Sequence, residues 1–212
     1  MSSDNQFSQH RAHPWHGIPA GPDVPSVVNV YVEITPNDPV KYEIDKETGY
    51  LKLDRIQRTS ALPPAVYGLI PRTYCGDRVA ALTADGLEGD GDPLDIVIFS
   101  ERPILRPDVL LEARVVGGLC TVDKGEADDK VVGVIESDRA YGKINDISDL
   151  PEIYVERLKH YFETYKWVPG MDKMPVTVER VYGKKEAHKV VEASIADYND
   201  LIGRNPSKVV GQ

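Results

Sequence analysis

The sequence predicts a mainly β α+β fold, in which a small barrel of short strands is followed by helices. Short segments of alternating apolar and polar residues, separated by turns rich in glycine and proline, recur between residues 27 and 135. Helical periodicity appears only late, from residue 148 onwards. Such a succession of short strands favours a small barrel over a parallel sheet.

Length and composition indicate one domain with a good-sized core. The chain has 212 residues, of which 41% are hydrophobic. Single domains often reach about 200 residues. We predict a single domain over residues 13–205, preceded by a disordered N-terminus at 1–12 and followed by a C-terminal tail at 206–212.

Charge and hydropathy argue against two classes of partner. The net charge of -9 disfavours nucleic acid, whose phosphates attract basic surfaces. No apolar run approaches the roughly 20 residues that cross a bilayer, and the polar N-terminus lacks a secretory pattern. We therefore predict a cytoplasmic protein that binds neither nucleic acid nor membrane. Cys75 and Cys120 are expected to be reduced thiols.

Period-2 alternation predicts three strands near the N-terminus. Val27–Ile34 alternates apolar with polar residues, which puts Glu33 on the polar face. Val40–Ile44 follows after a short turn, and we predict that these two strands form a hairpin. A third strand is predicted at 50–55.

The middle of the chain is expected to be irregular before the strands resume. Residues 59–90 are rich in proline and glycine, and we predict a long loop that ends at an acidic turn. Further strands are predicted at 94–99, 109–116, 131–135 and 176–182.

Two amphipathic helices are predicted in the C-terminal part. The first begins near Pro151, with Ser148 or Asp149 as its cap, and buries an aromatic stripe. The second covers 184–202 and ends at Gly203. We expect it to serve packing and assembly.

The chemistry is concentrated in residues 88–99, EGDGDPLDIVIF. Asp90, Asp92 and Asp95 lie within six residues, and the neighbouring glycines and proline let several carboxylates face one spot. Carboxylates this close raise one another's pKa unless a cation neutralises them. A hard, oxygen-preferring ion such as Mg²⁺ or Mn²⁺ fits this turn better than zinc. Asp95 would lie on the strand that follows.

Two other interpretations compete for this turn. An EF-hand calcium loop would use Asp90 and Asp92 as its first and third positions and Glu101 as its twelfth. However, Asp95 stands where that loop needs glycine, and the flanks have strand character. An ordinary solvated acidic turn stays open on this stretch alone.

Motifs elsewhere in the chain favour the metal interpretation. In order, they are VKYEIDKETG at 40–49, the arginine that closes LKLDR, the Tyr-Gly of AVYGLIP, DGDPLD at 90–95, DKGEADDK at 123–130 and HYFETYK at 160–166. With these motifs the chain resembles the soluble inorganic pyrophosphatases of family I. The match is collinear from Glu33 to Lys166.

The resemblance implies a fold and a set of residue roles. The family fold is a five-stranded OB-like closed barrel with flanking helices. Asp92 would be the general base, with Glu33 and Glu43 as supporting carboxylates for metal and water. Divalent metal would be bound by Asp90, Asp95, Asp123 and Asp128. The phosphates would be held by Lys41, Arg55, Tyr67, Lys130, Tyr165 and Lys166.

The implied reaction is hydrolysis of inorganic pyrophosphate to two orthophosphates by metal-activated water, without a covalent intermediate. Pyrophosphate is small and highly charged, so its affinity must come from basic side chains and metal ions. Several Mg²⁺ ions per site are implied, with Mn²⁺ as a substitute. Lys124 stands where many bacterial members carry an acid, which is expected to weaken or reshape one metal position.

The resemblance also implies a homo-oligomer, with a hexamer favoured and a dimer as the alternative. Two other functions stay open on the sequence. A non-catalytic OB-like module could bind Ca²⁺ in the acidic loops. A hydrolase of nucleotides or polyphosphate could use the same site, although the chain has no Walker-type glycine loop.

Overall fold

The computed structural model describes residues 11–36, 38–83 and 87–204. Most of the predicted N-terminal segment (1–10) and the predicted tail (206–212) lie outside these ranges. The strands and helices are β1 (Val27–Ile34), β2 (Val40–Ile44), β3 (Leu51–Ile56), β4 (Val66–Leu69), α1 (Asp77–Thr83), β5 (Glu88–Gly89), β6 (Asp95–Phe99), β7 (Leu110–Asp123), β8 (Glu126–Ala127), β9 (Lys130–Ile135), α2 (Glu152–Thr164), β10 (Val176–Gly183) and α3 (Lys184–Arg204). None of these helices is long and apolar enough to span a membrane.

Five of the strands pair in a ring-like sheet. β1 pairs with β4 and β4 with β6, both antiparallel, and β6 runs parallel to β9. β9 pairs with β7, and β7 pairs back with β1, which completes the ring. The prediction of a mainly β α+β fold is therefore confirmed.

Both faces of the central strands are buried. On β6, Ile96 and Ile98 belong to an apolar cluster that includes residues of α3. Val97 and Phe99 belong to a second cluster, to which α2 contributes. Because β6 is packed on both faces, its first residue, Asp95, is held in a fixed position.

β7 extends further than the sequence pattern predicts. The predicted segment at 109–116 covers only its first half, and the strand continues to Asp123. Gly117 and Gly118 interrupt the apolar alternation at this point. Both are required, because a Cβ at Gly118 would lie 2.4 Å from the ring of Tyr182 on β10, and a Cβ at Gly117 would lie 2.7 Å from the carbonyl oxygen of Tyr182. The glycines thus mark a close approach of strands rather than the end of one.

The predicted hairpin between β1 and β2 is wrong. β2 pairs with β3 instead, across a tight turn in which Gly49 has a φ of +73°. The edges of β1 are already occupied by β4 and β7, so none is left for β2. The β2–β3 hairpin is therefore a separate two-stranded sheet beside the ring.

The alternation of β1 places Glu33 on the polar face of the strand, but the structure buries this side chain. It is only 4% exposed. Its face of β1 is covered by a third apolar cluster, formed by Trp15, Tyr31, Ile44, Leu69 and Tyr198. The Glu33 carboxylate accepts a hydrogen bond of 2.7 Å from the backbone N–H of Ile44, which satisfies one of its oxygens.

Residues 59–90 are not one long loop, because they contain β4, α1 and β5. β4 has only four residues, and one of them is Gly68, where a Cβ would lie 2.1 Å from the carbonyl oxygen of Tyr31. α1 has only seven residues. Segments this short carry too little periodicity to be recognised from sequence.

The two long helices occur where predicted, but their ends differ from the predicted ends. α2 begins at Glu152 after Pro151, without a side-chain cap. Ser148 and Asp149, predicted as caps, lie in a separate 3₁₀ turn that Asp146 caps. α3 continues through Gly203 to Arg204, so Gly203 does not end it.

Candidate active site

An open cavity of about 190 Å³ lies between the ring and the β2–β3 hairpin, and its lining is mostly charged. All the predicted site residues except Arg55 line it. The lining residues are Glu33, Lys41, Glu43, Ile44, Lys46, Tyr67, Asp90, Asp92, Pro93, Asp95, Asp123, Glu126, Asp128, Lys130, Tyr165 and Lys166.

The acidic turn between β5 and β6 supplies the carboxylates of Asp90 and Asp92. Gly91 has a φ of +73°, a left-handed conformation that other residues rarely adopt. Oδ1 of Asp90 accepts a hydrogen bond of 3.0 Å from the backbone N–H of Asp92, so the first carboxylate caps the turn that carries the second. The turn is therefore a defined structure rather than a loose, solvated loop.

Asp95 is the first residue of β6 and faces Lys130 across the parallel pair with β9. The Lys130 ammonium contacts the carboxylates of both Asp95 and Asp128. Lys130 is only 3% exposed. Burial opposes its charge, but the two carboxylates raise the pKa of Lys130 well above its ordinary value. The phenol of Tyr67 also donates a hydrogen bond to Asp95.

Two further carboxylates reach the cavity from Asp123, the last residue of β7, and from Asp128, which follows β8. Asp123 pairs with the ammonium of Lys166, which follows α2 in the chain. Burial and neighbouring carboxylates raise the pKa of both Asp90 and Asp128. The part of this rise that comes from neighbouring carboxylates reflects a negative potential, which attracts cations.

The donor set fits a hard divalent cation. Asp90, Asp95, Asp123 and Asp128 offer only carboxylate oxygens, which Mg²⁺ prefers, and among residues 11–36, 38–83 and 87–204 no sulfur or imidazole ligand that would favour zinc lines the cavity. Oδ1 of Asp123 is buried without a hydrogen-bond partner among the described residues. Within the same part of the chain, no three acidic, histidine or cysteine side chains converge as a preformed metal cage. Lys130 lies between two of the carboxylates, and Lys166 contacts a third.

The β2–β3 hairpin forms the opposite wall. Lys41 lies on β2 and donates a hydrogen bond of 2.7 Å to Glu43. Arg55 is directly opposite Lys41 on β3, but its guanidinium donates to Asp54 at 3.0 Å and does not line the cavity. Arg55 is thus the one predicted site residue that the structure leaves outside.

Comparisons with known proteins agree with this arrangement. The family model described as inorganic pyrophosphatase matches residues 30–199. This chain belongs to the inorganic pyrophosphatase family. The members of this family hydrolyse pyrophosphate to phosphate, so the resemblance seen in the sequence motifs is confirmed.

Individual pyrophosphatases match over most of their length. An inorganic pyrophosphatase of Chlamydia muridarum is 46% identical over 198 residues, which cover 89% of this chain and 95% of that one. A soluble inorganic pyrophosphatase of Zea mays is 41% identical over 191 residues, which cover 90% and 81% of the two chains. The crystal structure of the inorganic pyrophosphatase from Thermus thermophilus superimposes with a TM-score of 0.74 at 36% identity, covering 88% of this chain and 99% of that one.

Two further charged residues of this cavity are not among the predicted site residues. Lys46 pairs with Asp92, and Glu126 lines the cavity from β8. A signal for both was present, because each lies inside a motif that carries the resemblance, at 40–49 and 123–130. Lys124, by contrast, is exposed at the tip of the β7–β8 turn and does not line the cavity.

Proposed function

We propose that this chain hydrolyses pyrophosphate as a Mg²⁺-dependent diphosphatase, by direct attack of water and with Asp92 as the general base. The observation that carries the proposal is one cavity in which carboxylates of the acidic turn face four lysines, Lys41, Lys46, Lys130 and Lys166. Such a cavity can bind a small polyanion together with divalent cations.

Asp90, Asp95, Asp123 and Asp128 are the proposed Mg²⁺ ligands, and Mn²⁺ is the proposed substitute. Bound Mg²⁺ would neutralise phosphate oxygens and lower the pKa of water. Glu126 would add a carboxylate near the position where Lys124 replaces the expected acid. Glu33 and Glu43 would hold water and support the metal ligands.

The basic and phenolic side chains would bind the phosphates. Lys41 on β2, Lys130 on β9 and Lys166 after α2 supply positive charge, and Tyr67 and Tyr165 supply neutral donors. Arg55 would assist by turning its guanidinium from Asp54 towards the cavity, which its position opposite Lys41 allows. Donors placed on both sides of a phosphoanhydride stabilise the charge that develops on the leaving phosphate.

Asp92 is suited to proton transfer rather than to deep metal binding. Its side chain is 47% exposed at the mouth of the cavity, whereas Asp128 is buried. A base at the mouth can take the proton of an attacking water and pass it to solvent. No covalent intermediate is required.

The experiment is phosphate release from pyrophosphate with and without Mg²⁺. We expect rapid, Mg²⁺-dependent release by the wild type and a loss of about 100-fold or more in Asp92→Asn, the usual scale for a general base. Asp77→Asn, an exposed carboxylate on α1, is the matched control and should retain wild-type activity. An inactive wild type, or an Asp92→Asn variant with full activity, would contradict the proposal.

We also propose that the five-stranded ring is an OB-like closed barrel and that the protein is a cytoplasmic homo-oligomer, a hexamer rather than a dimer. The pairing of β7 back onto β1 supports the closed barrel. Sedimentation equilibrium of the full chain tests the oligomer, and a monomer at micromolar concentration would contradict it.

A further inference from the structure

Asp197 is a buried carboxylate that lies outside the cavity, on α3. It is 5% exposed. Its Oδ2 accepts hydrogen bonds from the backbone N–H groups of Gly76 at 3.1 Å, Arg78 at 3.1 Å and Val79 at 3.2 Å. Its Oδ1 accepts a further bond of 2.9 Å from the guanidinium of Arg78. One side chain of α3 therefore caps the start of α1.

The residues just before α1, here called the support segment (73–76), hold the acidic turn from behind. The N–H of Cys75 donates to the carbonyl oxygen of Asp92 at 2.8 Å, and the carbonyl oxygen of Cys75 accepts from the N–H of Gly91 at 3.1 Å. Oγ1 of Thr73 accepts from the N–H of Leu94 at 2.9 Å. Three hydrogen bonds thus fix the backbone that carries the carboxylates of the turn.

The support segment is itself attached to α3. The N–H of Tyr74 donates to the carbonyl oxygen of Ser194 at 2.9 Å, one turn of helix before Asp197. Together with the bond from Gly76 to Asp197, this gives α3 two anchoring points on the segment.

The backbone between Asp197, the support segment and the acidic turn is closely packed. A Cβ at Gly76 would lie 3.1 Å from the carboxyl carbon of Asp197, and a Cβ at Gly89 would lie 2.2 Å from the carbonyl oxygen of Cys75. Because closely packed groups transmit displacement, a shift of Gly76 moves Cys75 and, with it, the backbone of Gly91 and Asp92.

We propose that Asp197 is a positioning residue for the acidic turn. It fixes the support segment through the start of α1, and the support segment fixes the directions of Asp90 and Asp92. This inference rests on the roles proposed above for those two residues. It goes beyond them by placing part of the control of the turn on α3, of which no described side chain lines the cavity.

The test compares Asp197→Ala with Asp200→Ala in the full chain. Asp200 lies on the same helix and pairs with the same Arg78 at 2.9 Å, but it does not accept the N–H groups of Gly76, Arg78 and Val79. Two readouts are used: hydrogen exchange in peptides spanning 88–95, measured without metal, and Mn²⁺ affinity, measured by titration. The first does not depend on turnover, so a failure of this inference is distinguishable from a failure of the proposed function.

We expect Asp197→Ala to speed exchange in 88–95 selectively and to weaken Mn²⁺ binding by about 10-fold to 100-fold, as for other groups that orient metal ligands. Asp197→Asn keeps one acceptor oxygen, so it should show the same two effects at smaller size. This variant also keeps the inference testable if Asp197→Ala does not fold. Asp200→Ala should match the wild type in both readouts.

A merely structural role predicts something different. If Asp197 only stabilised the fold, its variants would lower the melting temperature while Mn²⁺ affinity and exchange in 88–95 stayed at wild-type values below the transition. That outcome, in Asp197→Ala or in Asp197→Asn, would overturn the inference. Equal effects of Asp200→Ala would overturn it as well.

Discussion

The carboxylate of Glu33 accepts a hydrogen bond of 2.7 Å from the backbone N–H of Ile44. Glu33 lies on β1 of the ring, and Ile44 ends β2 of the separate hairpin, so this bond joins the two sheets. Burial, and then the charge of Asp95, raises the pKa of Glu33 to about 8. Near pH 7 and without metal, the side chain is therefore mostly a protonated carboxyl group, and its Oε1 is a neutral acceptor between the two walls of the cavity.

We predict that Glu33→Ala destabilises the protein by about 1–3 kcal/mol, because the N–H of Ile44 is then buried without a partner. Glu33→Gln keeps an acceptor oxygen and a neutral side chain, so its free energy of unfolding should stay close to that of the wild type. Urea denaturation of both variants without metal checks this. Equal losses in the two variants would show that the charge of Glu33, and not its hydrogen bond, is what matters.

The ion pair between Lys46 and Asp92 leads to a second prediction. Lys46 lines the cavity and is 53% exposed, so its charge is partly screened by solvent. Lys46→Gln should raise the KM for pyrophosphate about threefold to fivefold with little change in kcat, since exposed charges contribute about 1 kcal/mol or less. Steady-state kinetics measures this.

Lys52→Gln is the control for that experiment. Lys52 lies on the same hairpin but pairs with Asp45 at 3.5 Å, outside the cavity lining. An equal rise in KM in both variants would mean that the general positive charge of the hairpin, rather than the position of Lys46, attracts the substrate.

Glu126 is expected to contribute to metal binding. Glu126→Gln removes one negative charge from the cavity lining, and we predict a loss of about threefold to tenfold in Mn²⁺ affinity, below the loss for a direct ligand. Glu179→Gln, on the exposed surface of β10, should leave the affinity unchanged. Titration with Mn²⁺ gives both values, and an unchanged affinity in Glu126→Gln would remove this residue from the site.

His16, which stacks on Trp15 and Tyr198, predicts a pH dependence of stability. Burial, and then the neighbouring His13, lowers the pKa of His16 to about 4 from its ordinary value of 6.5. Its Nδ1 lies 2.8 Å from the hydroxyl of Tyr198. Between pH 6.5 and about 4 the unfolded chain binds a proton at this site that the folded chain does not, so stability falls as the pH falls through this window.

The measurement is the melting temperature between pH 7 and pH 5, followed without metal. His16→Gln should show a shallower fall than the wild type, whereas His160→Gln, at an exposed position on α2, should show the same slope as the wild type. Identical slopes in all three proteins would contradict the assignment to His16.

The site was more predictable from the sequence than the fold was. Asp90, Asp92 and Asp95 lie within one turn, so a single motif indicated their proximity. The motifs that contain Lys46 and Glu126 were recognised as wholes, although these two residues were not singled out. Alternation located β1 and β2 to the residue, but it carries no information on which strand pairs with which, and their predicted hairpin was wrong.

What the sequence could not indicate depends on distant contacts. Glu33 is predicted to lie on the polar face of β1, and period-2 alternation does not reveal that a second layer covers that face. Asp197 occupies an ordinary polar position of an amphipathic helix, and its partner Gly76 is 121 residues away in the chain. α1 has seven residues and its cap is supplied by that distant side chain, so no local signal marks its start.

The closure of the ring by β7 also constrains how the protein is made. β1 leaves the ribosome early, but one of its edges stays unpaired until β7 has been synthesised, and β9, the parallel partner of β6, is synthesised later still. Pairings this distant in sequence are slow to form and leave strand edges open to aggregation. The ring therefore cannot close until residue 135 has emerged, and the acidic turn leaves the ribosome before β9, which pairs with β6, and α3, which anchors the support segment, have been synthesised.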